Sequence, residues 1–438
     1  MGELTLFAQT IFGIDLLLCL YAIIAFVAIG VALAGMILFT KARLISTEAC
    51  KIEINNDPDL EKTVSGGGTL LSALTSQGIA VPSPCGGKAT CLQCRVQITE
   101  GADPPLETDR ATFTKKELRE GWRLSCQSKV NHDLSIHVEE STLEVKEFEG
   151  TVVSNKNVAT YIKELIVEIP QDIPYKSGEY LQFHVPPFKT NTSDWKENMD
   201  SQYYEDWEKF DLFDVGIDFS GLAEGEVIRA YSMASYPAEG RLLKFNIRIA
   251  SPPFEQGVAS KKIPWGICSS YAFSLKPGDK VKFSGPFGES YMIEDDRELI
   301  FLIGGAGSSF GRSHILHLFN TEKTQRMITM WYGARSLKEN IYEDEYKELD
   351  AKHKNFVYHL VLSEPLPEDI EAGWPKDDQI KTAFLFKAFQ KGQLDDMEYP
   401  EENLYYVCGP PMHNVSVMKL LDDYGVSREN IVLDDFGS

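Results

Sequence analysis

Four cysteines constrain this chain more than any other feature of its sequence. Three of them lie close together as C-x5-C-x2-C within residues 83–94, and the fourth follows after a gap of 31 residues. Thiolates on a short loop, joined by one from a distant segment, are the ligand pattern of iron–sulfur clusters. Gly86 and Gly87 suit such a loop, because glycine adopts positive φ and has no Cβ to obstruct a cofactor. The pattern predicts a [2Fe–2S] cluster with four ligands: Cys85, Cys91, Cys94 and Cys126.

Two other uses of these cysteines fit less well. A structural zinc site of four thiolates usually pairs two C-x2-C knuckles, and this sequence contains one. The other four cysteines are scattered singly, which is typical of a reducing compartment rather than of a disulfide scaffold. Plant-type ferredoxins use C-x4-C-x2-C, so the additional residue between the first two cysteines is a departure from that spacing.

The length and net charge of the chain limit the number of its domains and the kinds of partner it can bind. A chain of 438 residues is long enough for two or three domains, each with its own core. The formal net charge of −22 argues against a nucleic-acid partner, because a phosphate backbone requires a basic protein surface. Acidity of this size carries no information about the fold and favours solubility.

An uncharged stretch from Leu16 to Phe39 is long enough to form one membrane-spanning helix. A buried helix of this length normally has a polar face, and a cleaved signal peptide normally begins with basic residues; this stretch has neither feature. The basic residues follow it, at Lys41 and Arg43, so the positive-inside rule places the rest of the chain in the cytoplasm. Residues 1–42 are therefore predicted to form a single-pass transmembrane anchor.

Residues 43–143, which carry the four cysteines, are predicted to form a small α+β domain. Residues 51–54, 95–99 and 134–138 alternate between apolar and polar side chains, as strands do. Three glycines followed by residues 69–75 indicate a turn and one short helix. A small mixed sheet with one helix and a surface loop for the cluster resembles the β-grasp fold of ferredoxins.

Residues 144–296 are rich in β-strand signals and are predicted to form a small antiparallel β-barrel. Runs typical of strands, separated by Pro and Gly turns, cover residues 151–153, 165–169, 180–185 and 243–249. Residues 186–226 interrupt this pattern with aromatic and acidic side chains. We interpret them as a long surface insertion without assigned chemistry.

Two motifs in this segment carry a specific resemblance. The first is Arg229-Ala-Tyr-Ser-Met-Ala-Ser-Tyr-Pro237, and the second is Gly266-Ile-Cys-Ser-Ser-Tyr271. In this order they resemble the flavin site of the ferredoxin–NADP reductase superfamily, which implies bound FAD. Each residue alone has a structural alternative, such as an ordinary salt bridge for the arginine or a place in the barrel wall for the first tyrosine.

The resemblance implies a role for each of these residues. The forked guanidinium of Arg229 contacts the flavin pyrophosphate, and Tyr231 lies flat on the isoalloxazine ring. The Ser232 hydroxyl forms a hydrogen bond near flavin N5, where hydride arrives. The phosphates are approached by backbone at a helix N-terminus, formed by Gly266, Ser269 and Ser270.

Residues 297–438 alternate between strands and helices, which predicts an α/β Rossmann-like nicotinamide domain. The apolar run 299–303 has the composition of a parallel strand covered on both faces. A pyrophosphate is expected at the strand–helix turn that follows, beside Gly304, Gly305 and Gly307. The superfamily usually has a proline soon after these glycines, and this chain has two serines instead.

Four further positions are assigned by the same resemblance. The stretch C-G-P-P-M at 408–412 resembles the superfamily signature that places Gly409 and Pro410 beside the nicotinamide. Cys408 is either a soft contact to the reacting ring or a small buried residue at a strand end. Arg335 lies where the adenosine ribose is read and could receive a 2′-phosphate, so the sequence leaves NADH and NADPH both open.

Phe436, close to the C-terminus, resembles the aromatic residue that covers the second face of the flavin in many of these reductases. The nicotinamide displaces that ring when it binds. Packing in the core is the structural alternative for Phe436.

The order of anchor, ferredoxin-like domain, flavin barrel and nicotinamide domain is more specific than any one motif. With Y-G-A-R-S at 332–336 and D-D-F-G at 434–437, nearly the whole chain resembles the F subunits of sodium-translocating NADH:quinone oxidoreductases, a family that the C-x5-C-x2-C spacing also fits. The resemblance implies that hydride passes from NADH to FAD, and single electrons pass to the [2Fe–2S] cluster and on to partner subunits in the bacterial inner membrane. Ubiquinone reduction and sodium export would belong to that assembly, because one uncharged helix offers no path for an ion.

Two alternatives stay open at this point. One is an NAD(P)H-dependent reductase component of an oxygenase, which shares the three cofactor modules and usually lacks a membrane anchor. The other is a membrane-anchored iron–sulfur sensor or scaffold whose reductase half is inactive.

Overall fold

The N-terminal part of the protein is dominated by one long apolar helix. This computed structural model describes residues 10–11, 14–44, 49–143, 146–222, 227–255, 258–259, 263–288 and 290–435. Two short paired strands, β1 (Thr10–Ile11) and β2 (Ile14–Asp15), precede helix α1 (Leu16–Leu44). Residues 19–36 of α1 have a mean hydropathy of 2.4, and none of this stretch is buried against the protein. Within the described ranges it is the one helix long and apolar enough to cross a membrane.

The cysteine-bearing domain contains a mixed five-stranded sheet. Its strands are β3 (Ala49–Ile54), β4 (Asp57–Ser65), β5 (Arg95–Glu100), β6 (Trp122–Leu124) and β7 (Leu134–His137). In the order β4-β3-β7-β5-β6, only β3 and β7 run parallel among the described neighbours. Its helices are α2 (Leu70–Ser76), α3 (Glu107–Thr112), α4 (Lys115–Arg119) and α5 (Glu140–Leu143).

Helix α2 packs on this sheet as the apolar pattern predicts. The side chain of Thr69 caps its first turn by accepting a hydrogen bond from the Ser72 N–H. Leu74 on the helix, together with Ile52 and Leu124 on the sheet, is completely buried. The mixed α+β fold expected for this part of the chain is confirmed.

The next segment contains a six-stranded antiparallel sheet in the order β13-β10-β17-β8-β9-β14. Its strands, with two small pairs that flank it, are β8 (Lys146–Ala159), β9 (Ile162–Glu168), β10 (Tyr180–Val185), β11 (Lys189–Asn191), β12 (Gly216–Asp218), β13 (Val227–Ser232), β14 (Leu242–Arg248), β15 (Phe254–Glu255), β16 (Val258–Ala259) and β17 (Lys280–Phe287). The two outer strands approach each other, because the Ala234 N–H after β13 donates to the Lys244 carbonyl of β14 at 2.7 Å. Phe183, Phe245 and Phe283 form the centre of the core, with ring centroids 4.7–5.9 Å apart.

The segment interpreted as a surface insertion is packed more tightly than expected. It contains β11, β12, short 3-10 helices at Thr192–Asn198 and Ser201–Tyr203, and helix α6 (Tyr204–Lys209). Trp195 and Trp207 are buried, and Trp195 packs edge-on against Phe273 of helix α7 (Ile267–Ser274) at 5.2 Å. Its aromatic residues therefore attach the insertion to the antiparallel sheet as a second layer.

The C-terminal segment forms a parallel five-stranded sheet in the order β20-β19-β18-β21-β22. Its strands are β18 (Leu299–Gly304), β19 (Ile328–Ala334), β20 (Phe356–Leu362), β21 (Leu404–Cys408) and β22 (Ile431–Leu433). Helices α8 (Ser308–His317), α9 (Glu343–Lys352), α10 (Pro367–Glu371), α11 (Leu385–Gly392) and α12 (Pro411–Asp423) complete the domain. From β18 the strand order runs outward to β19 and β20 on one side and to β21 and β22 on the other. Open α/β sheets bind ligands at the point between two strands where the order switches in this way.

Candidate functional site

One large cavity connects the three domains that follow the anchor. Its volume is about 1400 Å³. The cysteine loop contributes Cys85 and Lys88, β13 contributes Arg229 and Ser232, and the carboxyl ends of β18, β19 and β21 contribute a further wall. We call this space the cofactor cavity. It is larger than the 300–1,000 Å³ typical of a pocket for one small molecule, so it has room for a dinucleotide and a second ligand.

The cysteine loop is shaped by residues with positive φ. Gly86 and Gly87 have φ of 63° and 87°, and the non-glycine residues Ala89 and Leu92 have φ of 58° and 59°. Positive φ is uncommon for residues with a side chain, so a loop with two of them is folded around something specific. The backbone of Cys91 forms a hydrogen bond to the Cys85 sulfur, as an anionic sulfur cofactor requires of its loop.

The four sulfurs lie in two pairs. The Cys91 thiol donates to the Cys85 sulfur at 3.3 Å, and Cys94 forms a hydrogen bond with Cys126. Three of the cysteines are buried, and Cys91 is partly exposed. In the part of the chain that the structure describes, no group of three or more His, Cys, Asp or Glu side chains is arranged to hold a single metal ion. Two thiolate pairs fit a two-iron cluster, in which each iron takes two protein ligands.

Strand β13 places the predicted flavin residues beside this loop. Antiparallel pairing with β10 sets Arg229 opposite Phe183 and Tyr231 opposite Leu181, so both side chains lie on one face of the sheet. The Arg229 guanidinium donates to the Ile228 carbonyl at 2.7 Å and lines the cavity. A Cβ added to Gly86 would lie 1.7 Å from Arg229 Nη1, so the loop contacts the strand directly.

Tyr231 is fixed by two neighbours. Its ring packs edge-on against Phe183, with centroids 5.0 Å apart, and its hydroxyl forms a hydrogen bond with Cys268. Burial raises the pKa of Tyr231 well above its usual value, and the nearby Cys268 acts in the same direction. The phenol is therefore neutral at physiological pH.

Ser232 has a partner that no sequence motif indicates. Its hydroxyl donates to a carboxylate oxygen of Asp434 at 2.8 Å, across 202 residues of chain. Burial raises the pKa of Asp434 to about 6, against the hydrogen bond from Ser232, which lowers it. The available signal was the acidic pair at 434–435, directly after the last strand of the parallel sheet.

The second flavin motif contributes a tightly packed turn. A Cβ at Gly266 would lie 2.6 Å from the Ala250 Cβ, so glycine is required where the turn approaches that residue. The Ser269 hydroxyl donates to the Gly266 carbonyl and accepts from the Ala250 N–H, each at 3.1 Å. Gly266 and Ser269 line the cavity, whereas Ser270 is fully buried behind them.

The predicted nucleotide turn lies at the end of β18. Gly304, Gly305 and Gly307 all line the cavity. Two serines take the place of the expected proline: the Asn246 side chain donates to the Ser308 hydroxyl at 2.9 Å, and the Asn246 N–H donates to the Ser309 hydroxyl at 3.1 Å. These bonds attach the start of α8 to β14, which accounts for the local departure from the superfamily pattern.

The end of β21 supplies the opposite wall. Gly409 and Pro410 line the cavity. Cys408 is completely buried, and its carbonyl would lie 2.4 Å from a Cβ at Gly307, so the two turns are packed backbone to backbone. This placement favours the packing interpretation of Cys408. Phe436 lies outside the described residues.

Arg335 lines the cavity at the end of β19, but its guanidinium has partners. It donates to a carboxylate oxygen of Asp206 and, at 3.4 Å, to Glu339. Asp206 belongs to helix α6 of the insertion, to which the sequence pattern assigns no chemistry.

Comparison with known proteins agrees with this architecture. The family model described as a 2Fe-2S iron-sulfur cluster binding domain matches residues 53–131, and that described as an oxidoreductase NAD-binding domain matches residues 301–417. Among solved structures, an Amycolatopsis cytochrome P450 reductase aligns with a TM-score of 0.58 at 18% identity, over 88% of this chain and 98% of that one. A ferredoxin reductase in carbazole 1,9a-dioxygenase aligns with a TM-score of 0.56 at 18% identity, over 89% and 98%. At this identity the likeness shows the fold alone.

Sequence relatives are much nearer. A Chlamydia caviae protein, named as the F subunit of Na(+)-translocating NADH-quinone reductase, is 61% identical over 95% of this chain and 97% of its own length. The protein of the same name from Chlamydia pneumoniae is 60% identical over 96% of this chain and 98% of its own length. That from Actinobacillus pleuropneumoniae is 43% identical over 95% of this chain and 98% of its own length. On this evidence the chain belongs to the family of F subunits of the Na(+)-translocating NADH-quinone reductases.

Proposed function

We propose that this chain is the electron-input subunit of a membrane NADH:quinone oxidoreductase coupled to sodium export. It accepts hydride from NADH and passes single electrons to its partner subunits. The observation that carries the proposal is the cofactor cavity, in which the cysteine loop, the flavin strand and the ends of three parallel strands meet. Family membership at 61% identity favours this function over an oxygenase reductase, for which the support is fold likeness alone.

The residues divide the work between two cofactors and a substrate. Bound FAD would supply two-electron hydride chemistry, and a [2Fe–2S] cluster would supply one-electron transfer. Cys85, Cys91, Cys94 and Cys126 would hold the cluster. The flavin would be held by four residues, Arg229, Tyr231, Gly266 and Ser269, with Ser270 packed behind the last two.

The nucleotide would lie across the carboxyl ends of the parallel strands. Gly304, Gly305 and Gly307 leave the backbone open to a pyrophosphate at the start of α8. Gly409 and Pro410 shape the nicotinamide end, with Cys408 supporting Gly307 from behind. Ser232 would present its hydroxyl to the flavin, and Asp434 accepts the hydrogen of that hydroxyl.

The anchor holds this machinery at a membrane. Helix α1 is long and apolar enough to span a bilayer, and Lys41 and Arg43 follow its apolar part. By the positive-inside rule the three domains face the cytoplasm, at the inner membrane of a bacterium. The predicted boundaries, near residues 42, 143 and 296, belong to this proposal, and they are supported by the three main sheets, each of which lies between two of them or beyond the last.

The cofactor content of the detergent-solubilised full chain tests the proposal. We expect iron and acid-labile sulfide in equal amounts, one FAD, and loss of both flavin and cluster absorbance on anaerobic titration with NADH. Zinc at the cysteines, or a flavin that NADH does not reduce, would contradict it. Inverted membrane vesicles from cells that lack this chain should also lose NADH-driven sodium uptake.

A further inference from the structure

The adenosine end of the cofactor cavity is recognisable from the sheet topology. Strand β19 lies beside β18 on the side opposite β21, so its carboxyl end is one strand away from the glycine turn. In dinucleotide-binding folds, the strand next to the glycine turn ends at the adenosine ribose. There an acidic residue accepts the ribose 2′-hydroxyl of NAD, or an arginine receives the 2′-phosphate of NADP. In this chain Arg335 and Glu339 follow β19, and both line the cavity.

The arginine at this position is held by two carboxylates. Arg335 is paired with Asp206 and, at 3.4 Å, with Glu339. The two carboxylate side chains are only 14% and 13% exposed, whereas Arg335 is 35% exposed. With one guanidinium and two carboxylates, the group carries a net formal charge of −1. Both of its hydrogen bonds leave from Nη2, and the two carboxylates offset the positive charge that a phosphate would otherwise meet.

The insertion fixes this arrangement. Trp207, next to Asp206 and fully buried, donates its indole N–H to the Thr160 carbonyl at 2.7 Å. The N–H of Thr160 donates to Glu339 at 3.0 Å, and its hydroxyl donates to the other oxygen of the same carboxylate. The insertion therefore positions Glu339 through Trp207 and Thr160, and Arg335 directly through Asp206.

From these contacts we infer that the insertion acts as a selectivity element, in which Asp206 and Glu339 withhold Arg335 from a 2′-phosphate and thereby favour NADH over NADPH. The inference rests on the proposed function, because it assumes that the cavity takes a nicotinamide dinucleotide. A ribose hydroxyl can donate to a carboxylate of the group. A 2′-phosphate adds a charge of about −2 and is repelled by the same carboxylates.

The pyrophosphate is common to NADH and NADPH and therefore does not contribute to the discrimination between them. Arg248 and Lys387 also line the cavity and can attract the phosphates that NADH and NADPH share. Only the charge at the ribose 2′ position differs between the two dinucleotides, so the group around Arg335 decides between them.

The test compares two single substitutions of the full-length holoprotein. Asp206→Asn keeps the shape of the side chain and releases Arg335 from one carboxylate. We expect the NADPH-to-NADH ratio of kcat/KM for flavin reduction to rise about tenfold or more, since a charge-assisted hydrogen bond replaces a repulsion. Glu205→Gln removes the same charge from the neighbouring exposed position on α6 and should leave the ratio unchanged. A ratio that Asp206→Asn does not raise would overturn the inference.

A second substitution assigns the gain to Arg335. Adding Arg335→Gln to Asp206→Asn should return the ratio to the wild-type value. A gain that persists without the guanidinium would show that Asp206 acts in another way, which also overturns the inference.

Equilibrium binding separates this inference from the proposed function. Adenosine 2′,5′-bisphosphate and 5′-AMP, titrated calorimetrically, report the ribose end without any turnover. Asp206→Asn should strengthen binding of the bisphosphate by about tenfold and leave 5′-AMP unchanged. Failure of the wild-type chain to oxidise NADH would contradict the proposed function alone, whereas equal bisphosphate affinity in both proteins would contradict the selectivity inference.

Discussion

The cysteine loop and the adenosine end of the cavity are built in opposite ways. All four cysteines come from residues 85–126, on a loop and one adjacent strand end of a single small domain. The adenosine end joins Asp206 to Arg335 and Thr160 to Glu339, in contacts that span 129 and 179 residues of chain. The chemistry of the loop is therefore readable as a local pattern. At the adenosine end, the effective charge of one arginine depends on a helix that belongs to another part of the chain.

The difference shows why the cluster site is visible in the sequence, whereas the selectivity between dinucleotides is not. Few side chains can ligate the iron of a [2Fe–2S] cluster, and cysteine is by far the commonest, so the ligands form a strong sequence motif. A cation can be offset by any carboxylate that the fold brings near, so selectivity between two dinucleotides need not leave a motif. The cysteine loop makes its own contact with the flavin strand, at Gly86 and Arg229.

The largest expected effect is on the cysteine loop alone. Cys94→Ala should abolish the electron paramagnetic resonance signal of the reduced cluster, because one of four ligands is removed. Reduction of the flavin by NADH should stay within about twofold of wild type, since the nucleotide turn and β13 are untouched. Cys50→Ala, at a buried cysteine of the same sheet, should keep the signal. Loss of flavin reduction in Cys94→Ala would show that the cysteine loop and hydride acceptance are not separable.

A second pair of variants tests the contact between the cysteine loop and the flavin strand. A Cβ at Gly86 would lie 1.7 Å from Arg229 Nη1 and 2.6 Å from the Ile228 carbonyl, whereas at Gly87 its nearest neighbours lie at 3.7 and 3.9 Å. Both glycines have positive φ, so alanine strains the loop backbone at either position. Gly86→Ala should slow cluster reduction by about tenfold or more relative to Gly87→Ala, because a displacement of about 1 Å is costly to reactive geometry. Equal rates would show that the loop does not dock on β13 during transfer.

The smallest expected effect concerns Asp434, whose pKa burial raises from 3.8 to about 6. Above pH 6 the carboxylate accepts the Ser232 hydrogen; below it, the protonated acid releases that hydroxyl to donate into the cavity. The rate of flavin reduction should therefore rise about fivefold as pH falls through 6, the size of one hydrogen bond. Asp434→Asn should have a flat profile, and so should Ser232→Ala, at a lower rate. If the inflection near pH 6 persists in Asp434→Asn, the titrating group is not Asp434.

Stability should change with the same group. Because its folded-state pKa is raised, Asp434 retains its proton in the folded chain between pH 3.8 and about 6, so its contribution to stability is present at acid pH and is lost as pH rises through 6. Asp434→Asn cannot ionise. It should therefore melt at a higher temperature than wild type at pH 7.5, and the two should converge near pH 4.

Much of the fold could be predicted because apolar patterns report burial directly. Strand β10 occupies the predicted residues, 180–185, and β18 extends the predicted run 299–303 by one residue. Strand β8 has fourteen residues, and the pattern predicts only three of them. The remainder is missed because polar side chains interrupt the alternation. Asn155 in that strand is buried and donates to the Ala272 and Leu275 carbonyls at 2.8 Å, partners that no local pattern indicates.

The candidate site divides in the same way. The four cysteines, the glycine turn and the motif on β13 can be found because each is a contiguous run with its own chemistry. Asp206, Glu339 and Asp434 cannot, since each takes its importance from a partner more than 120 residues away or from a bond that such a partner fixes. The sequence indicates the surface insertion but not how tightly it is packed, because its tryptophans have no packing partner that the sequence alone reveals.

Stopped-flow mixing of the anaerobic full-length protein with NADH tests the central claim, that hydride acceptance and cluster reduction are consecutive steps within this chain. Absorbance should show flavin bleaching first and cluster bleaching second, and in Cys94→Ala only the second phase should disappear. Cluster bleaching that precedes the flavin phase, or that needs another protein of the assembly to be added, would contradict the account.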